Sequence, residues 1–337
     1  MRAVLIKAFG EPAEVLELAD VPEPSGPAAG EVLVGVEYAP ININDLYVIQ
    51  GAFPVRPSLP SVVVNEGVGR VLAVGSGVEH LKVGDRVLIP LYAFSWRERL
   101  VVPATGLFSL PEADPQQLAM LGMNPPTASL LLDEASDLKP GDWVVQNPAN
   151  SGVGRSLIAI AKARGIKTIN LVRRPELIPE LQAIGGDLVV VDEDGALDQI
   201  RAAIGTGRVP LAVDGVAGKS SAKIAGALSE HGIFVVYAFM GGGPVVIDLI
   251  VKRVVVKGFF LNHPDIEPKI HAALRETAPL VASGAIQVPI AATYPLSSLR
   301  EAVLHAQRGG KVLLDLRGTT CAEVARLMLG QIPVAGV

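Results

Sequence analysis

The chain has 337 residues, enough for about two domains of ordinary size. Half of its residues are hydrophobic, which excludes a disordered chain, and 29 Lys and Arg against 34 Asp and Glu give a formal net charge of −5. This acidic balance offers no basic face to a phosphate backbone, so no nucleic-acid partner is expected. The longest apolar run, residues 233–240, is well below the ~20 residues of a spanning helix, so no membrane partner is expected either.

The N-terminus and the cysteine count bear on the cellular compartment. The first apolar stretch is stopped by Lys7, which makes it too short for the core of a signal peptide. The one cysteine, Cys321, can form no internal disulfide and no thiolate-built zinc site, which is compatible with a reducing compartment. We therefore expect a cytoplasmic protein.

Val-rich segments bounded by turn signals predict a β-rich region in the first 120 residues, with strands over 31–38, 67–74 and 86–91. A helical entry segment is predicted over 115–129. From residue 142 the rhythm becomes strand, Gly-containing turn and helix, which predicts a parallel sheet covered by helices on both faces. The predicted strands are 143–146, 167–172, 187–191, 210–213 and 233–237, and the predicted helices are 153–164 and 176–184.

The last part of the sequence predicts a return to the first domain. A helix is expected over 267–283, where apolar residues fall near one helical face, followed by strands over 291–294 and 311–316 around a helix over 299–307. A short helix is predicted over 321–329. The expected organisation is therefore an α/β protein with a β-rich domain (1–121 and 280–337) and a doubly wound parallel-sheet domain (122–279).

The segment 144–154, VVQNPANSGVG, joins a predicted buried strand to an Ala- and Ile-rich helix. In a βαβ unit such a turn offers backbone N–H groups and the positive helix end to a dinucleotide pyrophosphate. Gly152 and Gly154 remove the Cβ atoms that would block the approach. Only two of the three fingerprint glycines are present, so a tight turn without a ligand is the alternative.

Two arginines, Arg173 and Arg174, end the next predicted strand, about twenty residues beyond Gly152. NAD-binding folds place an acidic residue there for the ribose 2′-hydroxyl, whereas a cationic pair can clamp a 2′-phosphate. The pair therefore predicts NADPH as the cofactor. The alternative is that both arginines only end a strand in solvent.

Several motifs, taken with this turn, resemble the medium-chain dehydrogenase/reductase superfamily up to about Leu316, and within it the mitochondrial-type trans-2-enoyl-thioester reductases. They are PININD at 40–45, IQG at 49–51, NEGV at 65–68, LGMNPPTA at 121–128, QNPANSGVG at 146–154 and GFFL at 258–261. The resemblance implies a GroES-like catalytic domain, a Rossmann domain that binds NADPH, a small-molecule substrate and a homodimer. The implied reaction is reduction of an activated C=C bond in a 2-enoyl thioester or a related enone.

The same resemblance implies roles for individual residues. It assigns the pyrophosphate to Asn150, Ser151, Gly152 and Val153, the 2′-phosphate to Arg173 and Arg174, the nicotinamide half to Tyr237, Ala238, Phe239, Met240, Phe259, Phe260 and Leu261, a further cofactor contact to Lys311, and a place beside cofactor and substrate to Asn124. Without the resemblance, the favoured interpretation is that the two phenylalanines are core strand residues and that the tyrosine simply ends a strand.

Zinc is not expected. In zinc dehydrogenases of this superfamily, Cys and His ligands come from the first domain, since a catalytic site needs three protein ligands and an open position. By the resemblance, the corresponding segments here contain Asn42, Asn44 and Asn65 in place of Cys or His. The five histidines are scattered without ligand spacing and are interpreted as surface or packing residues.

One departure from the family pattern concerns the proton donor. Family enzymes place a tyrosine just after the Gln-Gly pair, and this chain has Phe53 there. Phenylalanine cannot donate a proton, and loss of a general acid typically costs ~10²–10⁴-fold in rate. Tyr47 is a candidate replacement, with core packing as its alternative. Two other functions stay open: an NADPH:quinone or carbonyl reductase on the same scaffold, and an NADPH-binding protein with little turnover.

Overall fold

The structure is a computed structural model that describes residues 1–52, 56–62, 66–238 and 253–317. The chain divides into two compact units, one that joins Met1–Gly122 to Pro289–Val337 and one that spans Met123–Val288. The boundary expected near residue 280 would cut the helix Glu267–Ala282, whose buried side includes Ala278 and Val281. The helix continues because these apolar positions keep its face packed, and the second unit ends at Val288 instead.

The first unit consists mainly of β-structure. Its strands are β1 (Arg2–Ile6), β2 (Leu16–Asp20), β3 (Glu31–Ile41), β4 (Ser61–Val62), β5 (Val68–Val74), β6 (Arg86–Leu88), β7 (Arg99–Pro103), β14 (Ile290–Pro295) and β15 (Lys311–Asp315). Its helices are α1 (Pro12–Val15), α2 (Ile43–Gln50), α3 (Pro115–Leu118) and α10 (Leu299–Arg308), with a short 3₁₀ turn at Leu296–Ser298.

Strand β3 organises the first unit because it pairs with three neighbours. The larger sheet has the order β14-β15-β3-β5-β6, with β7 also paired to β3, and a smaller sheet has the order β2-β1-β4. β15 is antiparallel to β3, with Val312 opposite Ile41. Buried residues from both parts of the chain, including Val34 and Leu314, belong to one hydrophobic core. The predicted return of the chain to the first domain is therefore seen in the sheet itself.

The second unit alternates strands and helices. Its strands are β8 (Trp143–Asn147), β9 (Lys167–Val172), β10 (Leu188–Val191), β11 (Leu211–Asp214), β12 (Ile233–Val236) and β13 (Val255–Gly258). Its helices are α4 (Asn124–Leu132), α5 (Gly152–Ala163), α6 (Ile178–Ala183), α7 (Ala196–Ile204), α8 (Lys219–Ala227) and α9 (Glu267–Ala282), with a 3₁₀ turn at Pro175–Leu177 before α6.

All six strands of the second unit are parallel, in the order β10-β9-β8-β11-β12-β13. The predicted α/β class with a Rossmann-type sheet is confirmed. The chain runs outward from β8 to β10 and then returns to place β11 on the other side of β8. Open α/β sheets bind ligands beyond the carboxyl ends of the strands at such a reversal. The turn after β8 lies at this position.

The helical segment predicted over 115–129 is wrong as a single element. It forms two helices, α3 and α4, because Pro125 and Pro126 lack the N–H groups of a helix interior and fit only the first turn of a new helix. Among the residues that the structure describes, no helix has both the length and the apolar composition needed to cross a membrane. The predicted helix over 321–329 lies outside those residues.

Candidate cofactor site

The turn between β8 and α5 is shaped by a glycine and by a helix cap. A Cβ atom at Gly154 would lie 2.5 Å from the carbonyl oxygen of Ala149, so this close approach requires glycine. Ser151 is the N-cap of α5, and its Oγ accepts a hydrogen bond from the Gly154 N–H at 3.0 Å. Asn150 is half-buried in the turn and Val153 is buried in the first turn of α5. The first N–H groups of a helix have no partner inside it, so this end of α5 can accept a phosphate.

Asn124, the first residue of α4, lies against the same turn. A Cβ atom at Gly152 would be only 2.6 Å from the Asn124 Nδ2, so the asparagine amide fills the space that a side chain at Gly152 would need. This Nδ2 is buried and has no hydrogen-bond partner within the described residues. A buried donor without an acceptor costs about 1–3 kcal/mol, which favours a ligand that would accept from it. The structure therefore brings Asn124 to the predicted cofactor turn.

Tyr237 follows β12 and reaches back to this turn. Its hydroxyl is hydrogen-bonded to the Ser151 side chain, and burial raises the pKa of Tyr237 to about 12. A Cβ atom at Gly215 would lie 2.6 Å from the tyrosine oxygen, so the ring crosses the glycine that follows β11. The hydroxyl stays protonated at any physiological pH. Ala238 comes next, whereas Phe239 and Met240 lie outside the described residues.

A buried polar cluster that the sequence interpretation missed supports the carboxyl ends of β8 and β11. Asn147 accepts from the Gly215 N–H at 2.9 Å and donates to Ser220 Oγ at 2.7 Å. The fully buried Asp214 accepts from the backbone N–H groups of Val216 and Ala217 and from the Ser221 hydroxyl. The signal in the sequence is an Asp-Gly pair at the end of a buried parallel strand. These bonds fix the loop over which the Tyr237 ring lies.

Arg173 and Arg174 directly follow β9, and both are exposed. Arg174 Nε lies 3.8 Å from a Glu176 carboxylate oxygen, a loose contact between two side chains in solvent. For Arg173 the structure gives no partner among the described residues. Both guanidinium groups are therefore accessible to an anion.

The segment after β13 lies beside the segment after β12. The Phe259 N–H donates to the Val236 carbonyl at 2.9 Å, which places Phe259 in the segment next to that of Tyr237. Phe259 and Leu261 are buried, whereas Phe260 is 42% exposed. Core packing therefore accounts for Phe259 and Leu261 in this segment, and the exposed ring of Phe260 is not explained by it.

In the first unit, Lys311 takes part in a buried polar network that the sequence interpretation did not anticipate. Its Nζ donates to the Asn42 Oδ1 at 2.5 Å, and the Asn42 Nδ2 donates to the Glu66 Oε1 at 2.8 Å. The backbone N–H of Asn42 also donates to Asp45 at the start of α2, at 2.8 Å. Burial lowers the pKa of Lys311, while the charges of Glu66 and Asp45 oppose that shift.

The residues considered for proton donation and for zinc also lie in the first unit. Tyr47 is half-buried on α2, outside the hydrophobic core, and its hydroxyl has no partner among the described residues. Phe53 and Asn65 are not among the residues that the structure describes. The described ranges contain no group of three His, Cys, Asp or Glu side chains placed to hold a metal ion. The absence of zinc stays a prediction, supported by the ammonium of Lys311 beside Asn42, which repels a second cation there.

Comparison with known proteins gives matches along most of the chain. Residues 28–112 match the family Alcohol dehydrogenase GroES-like domain, and residues 152–278 match the family Zinc-binding dehydrogenase. The mitochondrial enoyl-[acyl-carrier-protein] reductase of Mus musculus is 37% identical over 319 residues, which is 90% of this chain and 84% of that protein.

Two solved structures add the fold. A complex of Etr1p with NADP and crotonyl-CoA has a TM-score of 0.83 at 26% identity and covers 93% of this chain and 99% of that one. The mitochondrial 2-enoyl thioester reductase Etr1p/Etr2p heterodimer from Candida tropicalis has a TM-score of 0.81 at 26% identity, with the same coverage. The chain therefore belongs to the medium-chain dehydrogenase/reductase superfamily, and within it to the family of the mitochondrial enoyl reductases.

Proposed function

We propose that this protein is a zinc-independent, NADPH-dependent reductase of an activated C=C bond, in a 2-enoyl thioester or a related enone. The observation that carries the proposal is the buried Asn124 Nδ2 beside Gly152, which has no hydrogen-bond partner among the residues that the structure describes. The relatives support it as well, since the mouse protein is named for enoyl reduction and the Etr1p complex holds NADP with crotonyl-CoA.

The residues of the β8–α5 turn fit a dinucleotide. Gly154 lets the turn pack closely against α5, because a Cβ there would lie 2.5 Å from the Ala149 carbonyl oxygen. The N–H groups at the start of α5, with its helix dipole, would bind the pyrophosphate. Asn150, Ser151, Gly152 and Val153 supply this part of the site. The bound nicotinamide would deliver a hydride to the β-carbon of the substrate, and a proton must then be added at the α-carbon.

Around the nicotinamide half, the residues of this chain would position rather than react. The Tyr237 hydroxyl keeps its proton because burial raises its pKa to about 12, so it remains a neutral group tied to Ser151. The Asn124 amide can donate to an acceptor on cofactor or substrate, since its Nδ2 has no partner within the described ranges. For the α-carbon, the candidate proton donors are the Tyr47 hydroxyl and water.

The choice of NADPH over NADH rests on Arg173 and Arg174. Both are exposed and available to an anion, and a 2′-phosphate would gain two guanidinium partners there. We expect a Kd for NADPH at least about tenfold below that for NADH. Replacing both Arg173 and Arg174 by Ala should bring the two Kd values closer together. Equal Kd values in the unaltered protein would count against the proposal.

A screen of NADPH oxidation over enoyl-CoAs of increasing length, simple enones, quinones and aldehydes tests the reaction. Turnover of enoyl thioesters or enones that is indifferent to chelators supports the proposal. Turnover confined to quinones favours an NADPH:quinone reductase, which needs no dedicated acid at position 53, and turnover confined to aldehydes favours a carbonyl reductase. NADPH binding without any turnover indicates a binding protein, and stoichiometric zinc whose removal abolishes activity refutes zinc independence.

We also propose that the protein is a homodimer. Strand β13 pairs with β12 on one side, and within the described residues no strand pairs with its other side. Its Val255 and Val256 are 51% and 54% exposed, and proteins usually cover or pair such an apolar edge. Sedimentation velocity should give a dimer that Val256→Lys weakens. A monomer at micromolar concentration of the unaltered protein contradicts the proposal.

A further inference from the structure

Arg155 is a buried cation that the proposed function does not use. It is the fourth residue of α5, and its side chain is only 5% exposed. One terminal nitrogen, Nη2, donates to Glu180 Oε1 at 2.6 Å. Its Nε is buried and has no hydrogen-bond partner within the described residues. A buried charged donor left unpaired is costly, so the ion pair with Glu180 does not account for this residue by itself.

The position of Arg155 relates it to the nucleotide. It directly follows Gly154, at the end of α5 that would bind the pyrophosphate, and its partner Glu180 is on α6, the helix after Arg173 and Arg174. The two helices pack through a shared apolar cluster that contains Ile158 of α5 and Leu181 of α6. The Arg155 guanidinium therefore joins the first turn of α5, assigned to the pyrophosphate, to the helix that follows the two arginines assigned to the 2′-phosphate.

The charges on these segments are nearly balanced. Glu176 lies beside Arg174 at 3.8 Å, and Glu180 follows four residues later, bound to Arg155. Without Arg155, Glu180 would be an uncompensated carboxylate on the helix that follows Arg173 and Arg174, and its charge would oppose a phosphate that carries about two negative charges. Arg155 cancels that charge.

We propose that Arg155 is a specificity-determining residue for nucleotides that carry a 2′-phosphate. It neutralises Glu180, so that this carboxylate does not offset the charges of Arg173 and Arg174, and it holds α6 to the first turn of α5. This inference rests on the proposed use of NADPH.

The test compares 2′,5′-ADP with 5′-AMP, which differ only in the 2′-phosphate, by isothermal titration calorimetry. Glu180→Gln removes the carboxylate and leaves Arg155 uncompensated, so we expect the Kd for 2′,5′-ADP to fall about threefold or more while that for 5′-AMP changes less than twofold. Arg155→Gln should raise the Kd for 2′,5′-ADP about tenfold, and the double variant should recover most of that loss.

Unchanged ratios of the two Kd values in Glu180→Gln overturn the inference, as do equal losses for both nucleotides in Arg155→Gln. Glu180 is 44% exposed, so its isosteric variant carries the test even if Arg155→Gln fails to fold. The matched control is Arg99→Gln, which breaks a similar pair between a buried arginine and Glu23 at 2.6 Å in the first unit and should lower Tm without changing the ratio.

The same measurements separate this inference from the proposed function. An unaltered protein that binds 2′,5′-ADP no better than 5′-AMP overturns both the use of NADPH and the role of Arg155. A clear preference in the unaltered protein, which neither variant alters, leaves the proposed function in place and overturns the role of Arg155 alone.

Discussion

Two asparagines, one in each unit, stand at the start of a helix and differ in how their amides are paired. Asn42, before α2, has its amide bonded on both sides, to Lys311 and to Glu66. Asn124, the first residue of α4, has a buried Nδ2 with no partner among the described residues. The first amide is part of the folded framework, because Lys311 and Glu66 bind it from within the first unit. The second has a donor that the described part of the chain leaves available to a ligand.

The largest effect is expected from Asn42→Ala. This change removes a hydrogen bond from a buried carboxylate and another from a buried ammonium, and bonds to charged groups contribute about 1.5–3 kcal/mol each. We expect the free energy of unfolding to fall by about 3 kcal/mol in urea titrations. A loss below about 1 kcal/mol would show that water replaces the amide and that the contrast between the two asparagines is wrong.

Asn124→Ala should lower activity and leave stability almost unchanged, which is the opposite of the effect expected at Asn42. It removes an unpaired donor, so the free energy of unfolding should change by less than about 1 kcal/mol, while kcat/KM for an enoyl thioester should fall about tenfold or more. The measurements are urea unfolding and steady-state NADPH oxidation.

Gly152→Ala provides a matched variant that keeps Asn124 in the chain. The new Cβ would lie 2.6 Å from the asparagine Nδ2 and displace the amide, so it should reproduce the loss of activity. A variant of Asn124 that is as active as the unaltered protein but much less stable would reverse the roles assigned here.

A smaller effect, on kcat, is expected from a change at Phe53, which follows α2 in the sequence. If protonation limits turnover, Phe53→Tyr supplies a hydroxyl at the family position of the acid, and kcat should rise about tenfold. Tyr47→Phe should lower the native rate if Tyr47 is the present donor. An unchanged kcat in Phe53→Tyr, together with no solvent deuterium effect on the native rate, would show that protonation does not limit the reaction.

The smallest expected effect is on stability, and it concerns the C-terminal half of α4. Ser129 donates to Glu276 at 2.5 Å, and Arg164 donates to the same carboxylate at 2.8 and 2.9 Å, which joins α4, α5 and α9. Burial by itself would raise the pKa of Glu276, but these hydrogen bonds lower it below its ordinary value. The stabilisation is therefore complete above about pH 4.5 and is lost as the pH falls through the lowered value.

Glu276→Gln tests that link. Because the carboxylate is partly exposed, we expect the loss of stability at pH 7 to stay below about 1 kcal/mol and to shrink further in acid. Thermal unfolding between pH 3 and pH 7 measures it. A variant whose Tm falls as steeply in acid as that of the unaltered protein would contradict a contribution from this carboxylate.

The sequence predicts those strands and helices whose formation depends on residues close together in the chain. β9 has the predicted bounds, and α5 starts one residue before its predicted start, because an apolar strand, a Gly-containing turn and an Ala-rich helix are each visible within a few residues. The short helices α7 and α8 are missing from the prediction. Both are only nine residues long, too short to be stable alone, and packing of Ile200 and Ile224 in the sheet core stabilises them.

Only the site residues that lie within a recognisable sequence motif could be predicted. The glycines of the β8–α5 turn and Asn124 lie within known patterns, and the structure brings them together. The network of Asn42, Glu66 and Lys311 joins residues 24 and 269 positions apart, so no window of sequence contains it. The contact of Tyr237 with Ser151 depends on two strands that are separated in the chain and close in the sheet. The roles of these residues in binding and turnover stay predictions.

The pairing of β15 with β3 has a consequence for the order in which a newly made chain can fold. The second unit is one continuous segment, whereas the first needs both ends of the chain. At about 5–20 residues per second, roughly 10–40 s separate the synthesis of Gly122 from that of Lys311. During that interval the Glu66 carboxylate has no ammonium to face, and the sheet that will bury it lacks the strand next to β3. The larger sheet of the first unit therefore stays incomplete, with part of one edge of β3 unpaired, until the last part of the chain has been made.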